Sequence, residues 1–268
     1  MPVADRYISP SAWGDWWQGT CQVRLWWTLA SKDIVDRYRR SMLGPLWLTV
    51  SVAAMLAAMG PLYSQLFNVP LGKFFPNLAL GIILWGFINT TLIEAANTFV
   101  AASTFLKSSP FPLSMFIWRT LARNVITLAH QLIVYVPVAL FCSIPISPIQ
   151  LLAIPGLLML FVCLHVMSIS VAVVCTRFRD VAQVLTTCMQ MVIFVTPVLW
   201  MPSSVPARAK LLLYLNPFFH MIDVVRAPLQ GLFPQRYSWP GLILWTAACA
   251  ILAMVLFSRS RRQVIYWL

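Results

Sequence analysis

Charged side chains are scarce in this sequence, and acidic ones are the scarcest. Only 10% of the 268 residues are charged, and just seven are Asp or Glu. Soluble globular domains carry about 25% charged residues. This shortage excludes a soluble fold of this length, and it leaves few candidates for general acid–base catalysis.

Motifs that bind nucleotides or metals are also lacking. No Gly-x-x-x-x-Gly-Lys-Ser/Thr loop occurs, so the chain does not bind ATP by that route. The three histidines are scattered, without partners at metal-ligand spacing. The six cysteines show no metal or redox spacing and are predicted to be small buried hydrophobes. We therefore expect no metal, no cofactor and no catalytic residue in this chain.

Apolar residues are abundant instead, at 60% of the chain, and the mean hydropathy is +0.80. The net charge of +12 would suit nucleic-acid binding, but the basic residues form no patch of the size required. They flank long uncharged runs, which is typical of membrane topology. The sequence thus predicts a polytopic membrane protein that contacts lipids and no nucleic acid. Its first 42 residues are too polar and too long for a signal peptide.

The intervals between charged residues predict six membrane-spanning helices. Arg40 and Lys73 enclose 32 uncharged residues, and Arg123 and Arg177 enclose 53. One span needs roughly 20 residues, so the longer interval is divided at the break Pro145–Pro148. The predicted fold class is all-α integral membrane. The spans of the membrane domain, residues 43–268, are predicted at 43–67, 76–102, 113–141, 149–175, 181–200 and 239–257.

Two segments precede the first span. Residues 1–21 form a Trp-rich arm, predicted to lie at the level of the lipid headgroups, where indole rings are favoured. Residues 22–42 are predicted to form an amphipathic helix along the membrane surface or against a partner. An amphipathic helix packed on a soluble domain is the alternative, but the composition leaves no such domain. The apolar stripe of this helix is Val23, Trp27, Ala30, Ile34 and Tyr38.

Basic residues are distributed unequally between the two sides of these spans. Fourteen of the nineteen Lys and Arg residues lie on the side that holds both chain ends, and five lie on the other. Because cytoplasmic segments carry the excess of positive charge, both termini are predicted to be cytoplasmic. The basic cluster Arg37–Arg40 stands directly before the first span, and Gly44-Pro45 fits a joint between two helices.

The connection at 202–236 differs from the other loops. It contains two semi-apolar pieces, Ala207–Leu215 and Phe218–Leu232, separated by Asn216-Pro217. Each piece is too short to cross a bilayer. Short apolar helices broken at a proline predict a re-entrant hairpin, which is tolerated only where protein or a water-filled cavity surrounds it. A surface loop with amphipathic helices is the alternative.

Glu94 is the one acidic residue inside a predicted span. An unpaired carboxylate at that depth is costly, so a partner is expected. Arg119 and Arg123 lie four residues apart on one face of the third span. The sequence predicts an intramembrane ion pair between Glu94 and Arg123 or Arg119, with a proton or substrate site as the alternative role.

The connection Arg177-Phe178-Arg179-Asp180 is short, basic and predicted to be cytoplasmic. It has no room for a domain, but it suits a surface that contacts a cytoplasmic partner. A plain loop that obeys the positive-inside rule is an equally good interpretation.

Three stretches, taken in order, resemble the permease subunits of type-2 ATP-binding-cassette (ABC) exporters. They are Arg39–Trp47, Arg177–Asp180 and Leu215–Phe218. Within that class, residues 22–268 look most like the permeases that export O-antigen and capsular polysaccharides. The resemblance implies a homodimer in the bacterial inner membrane that binds two copies of a separate ATPase. ATP and Mg would be held by that ATPase, and this chain would be no enzyme.

The resemblance also implies roles for particular residues. The N-terminal helix and the loop after the fourth span would contact the ATPase, the hairpin would form periplasmic gate helices, and spans one and five would line a polysaccharide channel. Aromatic rings stack on the apolar C–H faces of sugars, so such rings would let a glycan slide, although each could equally face lipid or the core. The ATPase-contacting residues are Arg37, Arg39, Arg40, Arg177, Phe178, Arg179 and Asp180, the gate residues Asn216, Pro217 and Arg226, and the channel aromatics Trp47, Tyr63, Phe67, Phe194 and Trp200.

The expected function is export of a lipid-linked polysaccharide, O-antigen first and capsule next, driven by ATP hydrolysed on the partner. A type-2 ABC exporter of drugs or small lipids, which would need no wide channel, is the runner-up. A membrane-embedded enzyme acting on a lipid-linked sugar, with Glu94 or a histidine as its catalytic group, is the alternative from another class. A proton-driven carrier is disfavoured because one buried acid gives little for a relay.

Overall fold

The computed structural model describes residues 11–39, 41–108, 111–204 and 210–268, and across these ranges every regular element is a helix. The predicted all-α class is therefore confirmed for the described chain. Short 3-10 turns occupy Pro148–Leu152 and Pro202–Ser204. The α-helices are α1 (Ala12–Cys21), α2 (Val23–Tyr38), α3 (Leu46–Leu66), α4 (Leu71–Ala101), α5 (Ser103–Ser108), α6 (Leu113–Phe141), α7 (Ala153–Arg177), α8 (Asp180–Val195), α9 (Lys210–Leu215), α10 (Pro217–Leu229) and α11 (Ser238–Trp267).

Five helical segments of the described chain are long and apolar enough to cross a membrane. They are α3, α4 with α5, α6, α7 with its preceding 3-10 turn, and α11. The remaining apolar helix, α8, has only 16 residues, or about 24 Å at 1.5 Å per residue, against a hydrocarbon core of about 30 Å. The structure thus gives five candidate spans and one shorter apolar helix where the sequence predicts six spans.

Within the predicted fifth span, 181–200, the helix ends before the predicted span does, because α8 stops at Val195. Thr196 adopts extended backbone angles (φ −89°, ψ 136°) and is followed by Pro197. A proline disfavours the α conformation of the residue before it, which explains the stop. The last span is longer than predicted: α11 continues to Trp267, through the arginines that follow Phe257, since arginine is a good helix former.

The centre of the structure is α4. It packs against α3, α6, α7, α8 and α10, and Phe74, Leu78, Leu84 and Leu92 on it are buried. A helix that is apolar on all faces is expected at the centre of such a bundle. By contrast, α3 and α8 flank α4 and leave most of their apolar side chains partly or fully exposed.

At Gly81, α4 packs directly against the backbone of another segment of the chain. A Cβ added to Gly81 would lie 2.7 Å from the carbonyl oxygen of Val198, in the segment that follows α8. Real Cβ atoms essentially never approach that closely, so only glycine fits. This fixes the post-α8 segment directly on the central helix.

The helices α9 and α10 belong to the end of the bundle opposite α1 and α2. The central part of α10, from Phe219 to Arg226, is buried against α4, α7 and α11. Asn216 caps α10 through its side chain, and Pro217 occupies the first helical turn, where the missing N–H costs nothing. A 13-residue helix is therefore enclosed by the membrane-spanning helices.

The register of α2 differs from the predicted stripe. Ala30 and Ile34 are buried, but Val23 and Trp27 are exposed. Trp26 packs instead, stacking on Trp118 of α6 with the ring centroids 5.7 Å apart. The side of α2 that faces α6 therefore includes Asp33, which the predicted stripe assigned to the polar face.

Candidate functional site: a charge network joining α2 to α4 and α6

The carboxylate of Asp33 on α2 is held by two arginines of α6. Arg119 donates from Nε to Oδ2 at 2.9 Å and from Nη2 to Oδ1 at 2.6 Å, and Arg123 donates from Nη1 to Oδ2 at 2.9 Å. Bidentate pairing of this kind is the strongest geometry open to an arginine and a carboxylate. It ties the surface helix to a membrane-spanning helix.

Glu94 on α4 extends the network. Its Oε2 accepts hydrogen bonds from Arg123 Nη2 at 2.7 Å and from Asn124 Nδ2 at 2.9 Å, and its Oε1 accepts one from Arg37 Nη2 at 3.2 Å. Arg123 bonds both carboxylates and so joins Asp33 on α2 to Glu94 on α4. Glu94 also bonds Arg37, which brings the chain of contacts back to α2. Three helices are thus joined by alternating charges.

The network is sheltered at its centre and open at one end. The relative solvent exposure of the side chain is between 17% and 22% for Asp33, Glu94, Arg119 and Arg123, and 45% for Arg37. Partly sheltered charges cost free energy unless they are paired. Three arginines against two carboxylates leave the network with one net positive charge, and Arg37 is its most exposed member.

The electrostatics of Asp33 follow from these neighbours. Burial by itself raises the pKa of the Asp33 carboxyl, but the hydrogen bonds and positive charges of Arg119 and Arg123 outweigh burial and hold the pKa below its ordinary value of 3.8. Asp33 is therefore fully ionised at neutral pH. A recess of about 240 Å³ lies beside the network, lined by Glu94, Arg119 and Arg123 together with Asn97 and Thr98.

The structure places Glu94 with Arg123, one of the two partners proposed from the sequence, whereas Arg119 bonds Asp33 instead. Asp33 was not predicted as a site residue because the predicted apolar stripe put it on the polar face of the helix. The spacing between Asp33 and Arg37 could have indicated that both side chains face the bundle. Four residues apart, the two side chains share one face of a helix.

The loop between α7 and α8 lies at the same end of the bundle. Arg177, Phe178, Arg179 and Asp180 are all exposed. The Arg177 guanidinium lies 5.2 Å from the Phe178 ring centroid and 5.3 Å from that of Trp267 in α11. Arg39 is exposed after α2, and Arg40 lies outside the described residues.

The five predicted channel aromatics are not gathered in one place. Trp47 and Tyr63 are 16 residues apart on α3, or about 24 Å. Tyr63 packs on Phe67, with the ring centroids 5.8 Å apart, and Trp200 donates from Nε1 to the carbonyl of Phe194 at 3.0 Å. Trp47, Phe67 and Phe194 are exposed on the single chain.

The predicted gate residues join α10 to the segment after α8. Asn216 Nδ2 donates to Thr196 Oγ1 at 3.0 Å, and the buried Arg226 donates from Nη1 to the Pro197 carbonyl at 2.6 Å. Pro217 begins α10. The side chain of Asn216 thus serves both as a helix cap and as a link to the end of α8.

Within the N-terminal arm, residues Ala12–Cys21 form α1, which packs against α6. Pro112 gives α6 no side-chain cap, and Asp15 of α1 supplies it by accepting hydrogen bonds from the backbone N–H groups of Leu113 and Ser114 at 3.2 and 3.1 Å. Burial raises the pKa of Asp15 despite these hydrogen bonds. No local pattern in the sequence pairs residue 15 with residue 114.

Aromatic contacts hold the same arm against the bundle. Trp16 Nε1 donates to His165 Nε2 of α7 at 3.0 Å, and Trp118 Nε1 donates to Thr20 Oγ1 at 2.9 Å. At the other end of α1, Arg261 of α11 donates to the carbonyl of Ser11 at 2.8 Å. Both ends of the described chain therefore lie at the α1–α2 end of the bundle.

Five candidate spans, a helix α2 tied by ion pairs to two of them and a short buried helix, α10, define a multi-pass membrane protein. The chain belongs to the ABC-2 type transporter family, whose model matches residues 24–229. It is similar to the O-antigen export system permease protein RfbA of Klebsiella pneumoniae, at 22% identity over 211 residues, which is 72% of this chain and 75% of that protein. A subunit of this family is a transport permease and not itself catalytic, and an ABC exporter implies an ATPase partner. Helix α1 lies outside the matched residues.

Proposed function

We propose that this chain is the permease subunit of an ATP-driven exporter of a lipid-linked polysaccharide, with O-antigen as the first candidate and capsular polysaccharide as the second. The observation that carries the substrate class is the likeness to a protein named as an O-antigen export permease, which extends over most of both chains. The family match supports the transport class.

The proposed assembly contains two copies of this chain in the bacterial inner membrane and two copies of a cytoplasmic ATPase that holds ATP and Mg. The ATPase surface consists of α2 with Arg37, Arg39 and Arg40, and the loop Arg177–Asp180. Exposure of the described members of this set at one end of the bundle supports the proposal. Excess positive charge at that end supports a cytoplasmic location of both termini.

The charge network gives this assembly a route for coupling. A helix pushed by the ATPase transmits force only through contacts that hold while it moves, and α2 is linked by ion pairs to α4 and to α6. We assign Asp33 and Glu94 to this link as positioning residues. Displacement of α2 would then reach the central helix directly.

The substrate would pass between the two copies, along the exposed faces of α3 and α8. Trp47, Tyr63, Phe67, Phe194 and Trp200 are the proposed aromatic contacts for the glycan. In this proposal α8 and the segment after it complete a sixth span, and α9 with α10 is a re-entrant hairpin at the periplasmic end. The burial of α10 among α4, α7 and α11 supports that hairpin, since a surface helix would be half exposed.

The role of Glu94 distinguishes this proposal from the alternative that the chain is a membrane-embedded enzyme. Its carboxylate already accepts hydrogen bonds from Arg37, Arg123 and Asn124, so both of its oxygens are occupied by partners within the chain. Substituting Glu94→Gln should therefore leave substrate processing dependent on the ATPase. Substrate processing that continues with a hydrolysis-dead ATPase but stops in Glu94→Gln would favour the enzyme instead.

The decisive experiment is reconstitution of the chain with its cognate ATPase in vesicles that contain lipid-linked glycan. Export should require ATP, stop with a hydrolysis-dead ATPase, and discriminate a long glycan from a drug or a short lipid. Export that continues without hydrolysis would refute the proposal. If the reconstituted protein transports only small amphiphiles, the chain is instead a permease of a drug or small-lipid exporter.

A further inference from the structure

The last turns of α11 continue beyond its apolar run, which ends at Phe257, and stay packed on the bundle. Ala253, Phe257 and Val264 are buried in one apolar cluster with Ile169 and Val173 of α7. Spacings of four and seven residues put the three side chains of α11 on one face of that helix. The packing of α11 on α7 therefore continues to within one turn of the end of both helices.

Trp267 lies where this packed face of α11 meets the loop after α7. It is partly buried against the same cluster, and its ring centroid lies 5.3 Å from the guanidinium carbon of Arg177. Arg177 is exposed and follows Val173 by one turn of α7. The ring centroid of Phe178 lies 5.2 Å from the same guanidinium. A guanidinium within about 6 Å of a ring centroid is attracted to the face of that ring.

The two rings differ in what they can fix. Phe178 is the neighbour of Arg177 in the chain and is 55% exposed, so it moves with the loop. Trp267 belongs to another helix and is anchored by the buried cluster, so its contact relates the loop to the bundle. Across the described residues Arg177 forms no salt bridge. The contacts with the two rings therefore orient its guanidinium, and the one with Trp267 sets its position.

We propose that Trp267 is a positioning residue for the loop Arg177–Asp180, and that it acts through Arg177 to hold this loop for the partner ATPase. The inference rests on the proposed function, because the loop is one of the two proposed ATPase contacts. It adds the last turn of α11 to that surface, and this turn lies outside the residues that match the family, 24–229.

The cluster that anchors Trp267 also packs beside the charge network. Phe116 of α6 is buried in it, and Arg119 of the network follows Phe116 by one turn. The two proposed ATPase contacts, α2 with its ion pairs and the loop, thus rest on one apolar cluster. A loop held by Trp267 would pass a displacement on to α7 and α11 instead of bending.

Amide hydrogen exchange of the loop in the full chain, without the ATPase, tests the contact itself. Trp267→Leu keeps an apolar side chain but removes the aromatic face, and it should speed exchange of the loop by about two- to fivefold, the factor expected for one exposed cation–π contact. Trp267→Phe retains a ring and should recover most of the protection. Tyr266→Leu is the matched control, because Tyr266 is an aromatic residue of the same turn that is 70% exposed.

Two further variants test whether Trp267 acts through Arg177. Arg177→Gln alone should reproduce the faster exchange, so the inference stays testable if Trp267→Leu fails to fold. Adding Trp267→Leu to Arg177→Gln should cause no further change. An effect of Trp267→Leu that persists in full in the Arg177→Gln background would overturn the positioning role, since the tryptophan would then act by another contact.

Export per ATP by the reconstituted complex tests the consequence for transport. It should fall in Trp267→Leu, recover in Trp267→Phe and stay at the wild-type level in Tyr266→Leu. Normal exchange or normal export per ATP in Trp267→Leu would overturn the inference while export by the wild-type chain still depends on ATP hydrolysis. Wild-type export without hydrolysis would refute the proposed function instead, and the exchange measurement would still decide whether Trp267 holds the loop.

Discussion

Asp33 on α2 and Arg119 on α6 are joined by two hydrogen bonds, of 2.9 Å from Nε and 2.6 Å from Nη2. They are 86 residues apart in the chain. Because Arg123 also bonds Asp33, one carboxylate holds the surface helix to two turns of a membrane-spanning helix. This makes Asp33 the residue whose removal should separate α2 from the bundle most selectively.

Substituting Asp33→Asn should uncouple ATP hydrolysis from export. The amide cannot pair with Arg119 and Arg123 as an anion, and loss of a charged hydrogen bond costs about 1.5–3 kcal/mol. Export per ATP should fall while the ATPase still binds and hydrolyses. Asp36→Asn is the control, since Asp36 is exposed on the same helix. An Asp33→Asn protein with normal export per ATP would contradict the role in coupling.

The contact between α2 and α6 should stay intact as the pH is lowered to about the ordinary pKa of aspartate. The folded-state pKa of Asp33 lies below 3.8, so its ion pairs stabilise the docked helix at every pH above that value. That contribution is lost as the pH falls through the lower folded-state value. Spin-label distances between α2 and α6 should stay constant from neutral pH to about pH 4 and lengthen below it. Asp33→Asn should remove this acid transition, and its persistence would assign the transition to another group.

Substituting Gly44→Ala should impair coupling more than membrane insertion. Gly44 has φ +56° in the turn between α2 and α3, and a side chain in that conformation costs about 1–2 kcal/mol. Gly72→Ala is the matched control, because an added Cβ meets nothing within 4 Å there either and its φ is not positive. Export per ATP compared with the amount of inserted protein measures the effect. A Gly44→Ala protein that exports like Gly72→Ala would reduce the turn to a topology signal.

Substituting Asp15→Ala should destabilise the start of α6. Two backbone N–H groups lose their acceptor, whereas the Ser114 hydroxyl keeps the backbone carbonyl of residue 15, and loss of a helix cap costs about 0.5–2 kcal/mol. Thermal unfolding in detergent should show a lower midpoint for Asp15→Ala. Asp15→Asn retains one oxygen acceptor and should recover part of the loss. Equal midpoints for Asp15→Ala and wild type would mean that the Asp15 cap contributes nothing to the stability of α6.

Some of these features are written locally in the sequence, and others are not. The rarity of acids inside apolar runs singled out Glu94, and the four-residue spacing of Arg119 and Arg123 put its partner within reach. Pro197 is a local signal for the end of α8 at Val195, although the predicted span 181–200 did not use it. Each of these signals involves only a few neighbouring residues.

The parts that could not be predicted depend on how distant helices pack. Asp33 reaches Arg119 because Trp26, rather than Trp27, packs on Trp118, and that rotation of α2 is decided by the surface of α6. Asp15 caps a helix nearly one hundred residues away. Neither relationship changes the composition or the periodicity of its own segment.

The contact of Gly81 with the backbone beside Val198 has a mechanical consequence. Gly81 and Glu94 lie on the same uninterrupted helix, about 20 Å apart along its axis. The charge network holds one end of this stretch and the segment after α8 touches the other. The central helix would therefore act as a rigid lever, because no break in it separates these two contacts. A tilt near Glu94 would also move the segment after α8, and a side chain larger than glycine at position 81 would push that segment away from α4.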